Sequence, residues 1–314
     1  DVKMGFFTLL IRASVLALSV LGQAMDVDEL ARRNADFATR LYSRIASSND
    51  DNVAVSTLGA TLALATLAAG AGGATLSELL QGIGLDAMMK DGGQENVQML
   101  LQQLREATAQ IQATALFIKQ DVNVEDSFRS KVKQFYNADV QNVNYANAQL
   151  AKGTINDYIR GRTGDKVKDV VQNIDAQSMA TLISAAFFTG QWLDPFNVTF
   201  TQDERFYVNK YNIVQVPMML RSGKYHLAYD PTLKVGILKL PCENGIAMLM
   251  LLPDEDVDYT YIDESMTGEV FRGWVAKLKK TKLEIQLPRF SLQQSTSLSA
   301  SLSSLGIDFN TIAN

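Results

Sequence analysis

Apolar positions recur at helical spacing through the first half of the chain. Val27, Leu30, Ala31, Asn34, Phe37, Ala38, Leu41 and Ile45 fall on one face and predict a helix over 26–47, with Asp26 and Glu29 as a capping box at its start. A short apolar strand over 52–56 precedes a helix over 57–69 almost devoid of polar positions, a pattern that belongs in a protein's middle. Gly70, Gly72 and Gly73 read as a helix stop, because no strand–loop–lysine pattern makes them a phosphate cradle. Another helix begins near Thr75, and one over 94–110 carries the stripe Val97, Leu100, Leu101, Leu104, Thr108 and Ile111. Strands over 113–118 and 140–145 enclose a helix over 126–135; a further helix over 154–162 stops at Thr163-Gly164. The apolar run 179–188 has the character of a central sheet strand.

The second half turns to strands at close spacing, over 225–229, 234–240 and 246–252. Over 282–287 the alternation is strict, with Leu283, Ile285 and Leu287 on one face and Glu284 and Gln286 on the other. A helix over 259–280 comes before it. Helices early, strands late and no linker between them predict a single α+β domain with several antiparallel sheets.

At 314 residues the chain can bury a large core without staples. Its formal charge of −5 gives no general pull toward nucleic acid or anionic membranes. The basic cluster Lys277, Lys279, Lys280 and Lys282 reads as a solvated helix end in preference to a polyanion site. The one cysteine, Cys242, excludes an internal disulfide and, set between Leu240-Pro241 and an apolar strand, reads as a buried, inert thiol.

Catalytic chemistry finds little to work with. The one histidine, His226, sits in an alternating strand and reads as structural; no G-x-S-x-G elbow is present, and one His with one Cys builds no zinc site. Asp254, Glu255, Asp256 and Asp258 crowd a hydrophilic turn without the glycine-centred spacing of a calcium loop. No catalytic residue, metal ligand or cofactor is assigned.

Residues 1–24 read as a secretory signal: an apolar segment runs from Met4 to Leu21, and Gly22-Gln23-Ala24 supplies the small residues before cleavage. Arg12 interrupts the segment and argues against a spanning helix. Asn197-Val198-Thr199 is an N-glycosylation sequon. Together these predict a secreted, extracellular glycoprotein.

Several landmarks of unlike chemistry occur in order. Phe187-Phe188-Thr189-Gly190-x-Trp192, Pro195-Phe196, Thr201, Phe206 and Val216-Pro217-Met218-Met219 resemble the central signature of the serpins, the serine-protease-inhibitor family. Asn52-Val-Ala-Val-Ser56 with Gly73-Ala-Thr75, Ile155-Asn156-x-Tyr158-Ile159, Leu251-Leu252-Pro253, Leu287-Pro288-Arg289-Phe290 and the segment from Leu302 to Phe309 resemble further blocks of that family. The spelling is closest to extracellular clade A serpins of the antitrypsin and protein Z-dependent-inhibitor kind.

The resemblance implies a serpin domain over 25–314, helices packed on mainly antiparallel sheets, with one helix lying across the main sheet. It implies a suicide substrate for a serine protease: a cleaved reactive-centre loop inserts as a new strand. It also implies that the hinge, scissile bond and closing C-terminal strands lie beyond Asn314. The alternative is a non-inhibitory serpin serving as carrier, hormone precursor or chaperone. By the same resemblance Ser56, Ser184 and Trp192 are structural residues of the shutter and breach where the main sheet opens. The chain departs from the family there: Ser56-Thr57-Leu58-Gly59 keeps only the first serine of Ser-Pro-x-Ser, and Ser184 stands where an asparagine is usual. The helix over 94–110 holds only Arg105 as a cation, which argues against heparin binding through it.

Overall fold

The computed structural model describes residues 21–48, 52–89, 93–108, 110–208 and 212–308. Most of the signal segment lies outside these residues. The described chain forms two compact units interleaved in sequence: one holds 19–38, 56–189 and 297–314, the other 39–55 and 190–296.

Helix α1, Leu21–Ala46, starts five residues before the predicted boundary, so Asp26 lies within the helix and not at its start. Glu29 serves another purpose. Hydrogen bonding from Arg32, joined by Arg33 one turn on, holds its carboxyl down at about 2.

In the first unit, α2 (Thr57–Ala68) is buried almost end to end, as its lack of polar positions requires. Helices α3 (Gly73–Ile83) and α4 (Gln94–Ala107) follow; α4 ends three residues short of prediction, and Ile111 falls on the next strand. Strand β1 (Gln110–Lys119) pairs in parallel with β2 (Ala138–Val143), across α5 (Asp126–Tyr136), and antiparallel with β3 (Ala180–Phe188). The order β2-β1-β3 leaves β3 on an edge among the described residues, where a central strand was predicted. Accordingly Ala185 alone of its residues is fully buried.

Helix α6 (Ala148–Arg162) lies across one face of this sheet. Its Ala151, Ile155 and Ile159 pack on Ala113, Ala115, Phe117 and Ala185, all on one side of the pleat. The chain leaving α6 is tied back by Asn156, whose Nδ2 donates to the Val171 carbonyl and whose Oδ1 accepts from the Val171 amide, both at 3.0 Å. At the end of this unit α9 (Ser299–Ser304) leads to Ile307, which lies against Gly82 of α3.

In the second unit, β5 (Ile213–Asp230) is eighteen residues long and pairs antiparallel with β4 (Gln202–Tyr207), β6 (Val235–Pro241) and β8 (Lys279–Pro288); β7 (Ala247–Pro253) adds to β6. Tyr225, Leu240, Ile285 and Leu287 form its buried cluster. The helix predicted over 259–280 is two helices, α7 (Tyr259–Ser265) and α8 (Gly268–Lys277), because Thr267 starts a new one by accepting from the Val270 amide. Leu278 then turns extended, so Lys279, Lys280 and Lys282 stand on β8, not on a helix end. Residues 52–56 form no strand; the Ala54 amide donates instead to the Gln294 side chain.

A Cβ at Gly82 would stand 2.2 Å from Ile307 Cγ1, and Ile307 is fully buried. Gly82→Ala therefore lowers stability by about 1–3 kcal/mol through overpacking, read as a reduced urea midpoint. Asp139 at the start of β2 accepts from Lys133 Nζ at 2.8 Å and from the Tyr158 hydroxyl, with Arg162 nearby. Burial alone would raise its pKa, but these donors and cations outweigh it and hold the carboxyl below its ordinary value. A depressed folded pKa adds stability above the unfolded value, and this is lost as pH falls through the folded one. Asp139→Asn flattens the fall in urea midpoint between neutral pH and about pH 3; an unchanged slope would sink the idea.

Candidate functional site

Ser56 and Ser184, which the resemblance implies lie where the main sheet opens, both stand beside Gly59 in the first unit. Ser56 has extended backbone and caps α2, its Oγ accepting from the Gly59 amide at 3.1 Å. Ser184 lies on the exposed edge of β3, opposite Thr114 of β1. Gly59 brings them together: a Cβ there would stand 2.8 Å from Ser184 Oγ, 2.9 Å from Ser56 Oγ and 3.3 Å from Gln112 Nε2. A serine at 59, as in Ser-Pro-x-Ser, fits only if both neighbouring hydroxyls turn away.

Two further polar residues complete this cluster. Gln112 and Thr114 stand on the face of β1 opposite to Ala113 and Ala115, hence away from α6. Both side-chain polar atoms of Gln112, and the hydroxyl of Thr114, are buried with no hydrogen-bond partner among the described residues. Ser184 offers none either, since its hydroxyl forms no hydrogen bond among the described residues. Sequence reasoning passed over Gln112 and Thr114. Their signal was available: two polar positions at period two inside a strand otherwise built for burial.

The arrangement has one evident capacity. The outer edge of β3 carries backbone donors and acceptors without a strand partner among the described residues, and such an edge is a template for another strand. Beside it stand unsatisfied donors and acceptors under a helix terminus. Lys166, from the segment after α6, lies over the Phe187 ring at 5.6 Å and helps hold the far end of β3.

Trp192 belongs to the second unit. It bridges to Cys242, meets Phe196 edge-to-face at 6.2 Å, and packs on the Tyr225, Leu240, Ile285 and Leu287 cluster. Cys242 is buried, and burial pushes its thiol up, away from the reactive thiolate. Asn197 is exposed, its Oδ1 accepting from the Thr199 amide and hydroxyl at 3.0 and 2.9 Å. His226 lies exposed on β5, facing Lys239 and Lys280 on the neighbouring strands. In the acidic turn, Asp254 accepts from Tyr229, Asp256 pairs with Lys234, and Asp258 caps α7. No group of three or more His, Cys, Asp or Glu among the described residues is arranged to hold a metal.

A family model described as Serpin (serine protease inhibitor) matches residues 32–310. The plasma serine protease inhibitor of Homo sapiens is 32% identical over 279 residues, a span covering 87% of this chain and 68% of that protein. Among solved structures, mouse protein-Z dependent protease inhibitor superimposes with a TM-score of 0.86 at 26% identity, over 91% of this chain and 78% of that one. Human thyroxine-binding globulin complexed with thyroxine gives a TM-score of 0.83 at 26% identity, over 90% and 77% of the respective chains.

Thr114→Val replaces an unpaired buried hydroxyl with a methyl of the same shape. It raises stability by about 1–3 kcal/mol, seen as a higher urea midpoint at unchanged slope. A lower midpoint would show that the hydroxyl has a partner in solution.

Proposed function

The chain belongs to the serpin (serine protease inhibitor) family, and on that premise we propose that it is the scaffold of a secreted serine protease inhibitor that works by strand insertion. The observation that carries this reading is the unpartnered edge of β3 beside Ser184, Thr114 and Gln112. An inserted strand satisfies the backbone row of β3, and serpin loop insertion is itself a recognised instance of strand addition. The helix α6 closes one face of the sheet, so an arriving strand enters edge-on and finds apolar cover on that side.

The inhibitory chemistry belongs to the protease, whose serine attacks a bait carbonyl, forms an acyl ester and expels the amine side of the bait. The scaffold supplies the place to which the acylated segment moves. It contributes no catalytic group. The target protease is set by the bait residue, and the relatives named as inhibitors support serine proteases as the class. Secretion rests on the signal segment over 1–24, and no helix among the described residues is long and apolar enough to cross a membrane. Asn197 is the residue proposed to carry a glycan, its side chain exposed in a turn that leaves Val198 80% exposed.

A second reading, a carrier or hormone-precursor scaffold that traps no protease, is favoured by the changes at Gly59 and Ser184, which leave the opening region short of hydrogen bonds. The product of the natural transcript, mixed with trypsin-like and elastase-like proteases, separates the two on denaturing gels. A covalent complex that fails to form with a protease lacking its active serine is the expected result. Cleavage that leaves the protease fully active would replace inhibition with the second reading.

A further inference from the structure

The turn that follows Trp192 turns apolar side chains outward. Phe196 is half-buried and anchors it, meeting Trp192 edge-to-face and packing on the cluster around Tyr225. Beyond this anchor Asn197, Val198, Thr199 and Phe200 are all exposed. Residues 198–200 form a single 3-10 turn, and the Phe200 amide donates to the Asn197 carbonyl at 3.0 Å. Asn197 caps the turn. Its Oδ1 accepts from the Thr199 amide and hydroxyl, which leaves Nδ2 without a partner among the described residues.

The cap also decides where Phe200 stands. The third residue after a cap lies beside the cap residue, which is how a capping box closes. Side chains three apart eclipse in a 3-10 turn, and they lean back toward its start. Phe200 is therefore on the Asn197 side of the turn, and it is 58% exposed. Val198 has the highest exposure of the large apolar residues described. Single exposed apolar residues are ordinary on a protein surface. Here two of three turn residues are apolar and open to solvent, where turn chemistry favours Gly, Asn, Asp or Ser.

We propose that a glycan on Asn197 lays its first sugar over Phe200 and Val198 and is the cover of this turn. The inference rests on the reading of Asn197 as a glycosylated residue. Attachment replaces one Nδ2 proton, released to base, by the anomeric carbon of the sugar. That carbon's bond to the diphosphate of a lipid-linked donor breaks, and the diphosphate leaves with the bonding pair. The first N-acetylglucosamine carries its hydroxyls at the rim and C–H groups across one face. Such a face suits an aromatic ring, whose own face is the negative part of its quadrupole. Thr199 keeps hold of Oδ1, so the turn stays closed while the sugar extends from Nδ2. Two side chains are too small a surface for a second copy of the chain, since a stable interface buries about 800 Å² per partner.

The natural product, secreted from eukaryotic cells, is compared intact, trimmed by an endoglycosidase to the first N-acetylglucosamine, and stripped by an amidase that leaves a carboxylate at position 197. Intact and trimmed forms unfold at the same temperature. The stripped form unfolds about 2 °C lower and binds more of an apolar fluorescent dye. Phe200→Ala keeps the sequon, and its trimmed and stripped forms unfold together, which separates the sugar–ring contact from the new carboxylate. Intact mass reads occupancy: an unmodified Asn197 overturns the glycosylation reading and the cover with it. An occupied Asn197 whose trimmed and stripped forms unfold alike overturns the cover alone. So does a loss on stripping that is equal in parent and Phe200→Ala. A glycosylated parent that sediments as a dimer, returned to monomer by Phe200→Ala, replaces the sugar with a second copy of the chain.

Discussion

Every ladder hydrogen bond of the three-stranded sheet involves β1, which pairs in parallel on one side and antiparallel on the other. Both of its faces are covered, by α6 on one and by the start of α2 on the other. A strand so enclosed can carry only side chains that fit the space. Ala113 and Ala115 are fully buried where α6 comes close, and Phe117 fills the wider gap beneath Tyr158, edge-to-face at 5.6 Å. The same enclosure makes polar positions on the opposite face costly, because the side chains of Gln112 and Thr114 have no hydrogen-bond partner among the described residues.

That cost bears on the strand insertion proposed for this sheet. A buried polar group without a partner weakens a closed state by about 1–3 kcal/mol and gains from any arrangement that supplies the missing bond. Gly59 adds to this, since its missing side chain leaves room for the Ser56 and Ser184 hydroxyls and removes a hydroxyl that could have paired with Gln112. Among the described residues, the edge proposed to receive a strand thus stands beside buried polar groups that lack partners.

Periodicity revealed most elements because packing follows it. The stripe Leu30, Phe37, Ala38, Leu41 and Ile45 is buried along α1, and the alternation of Leu283, Ile285 and Leu287 sets the core face of β8. The boundaries that failed were those decided by a partner or a cap. Helix α1 runs through Asp26, Thr267 splits one predicted helix into two, and residues 52–56 find a glutamine side chain in place of a strand. The site was partly legible: Ser56, Gly59 and Ser184 showed in motifs, whereas Gln112 and Thr114 gained meaning only through the β1–β3 register. The lysine cluster shows the same limit. Four nearby residues read as one helix end, but the strand pleat keeps Lys280 and Lys282 together and sends Lys279 to the opposite face.

The length of β5 has a consequence in time. Its pairing with β8 joins Met218 to Pro288 and Leu227 to Lys279, contacts that span more than fifty residues of intervening chain. Such pairings require a long loop to close before any hydrogen bond rewards it, and proteins rich in them fold slowly. Until β8 arrives, most of β5 has an open flank while the chain between is still being ordered. The second unit therefore passes through a period in which a long strand is open to pairing with other chains, and its safe assembly depends on how soon that flank is closed.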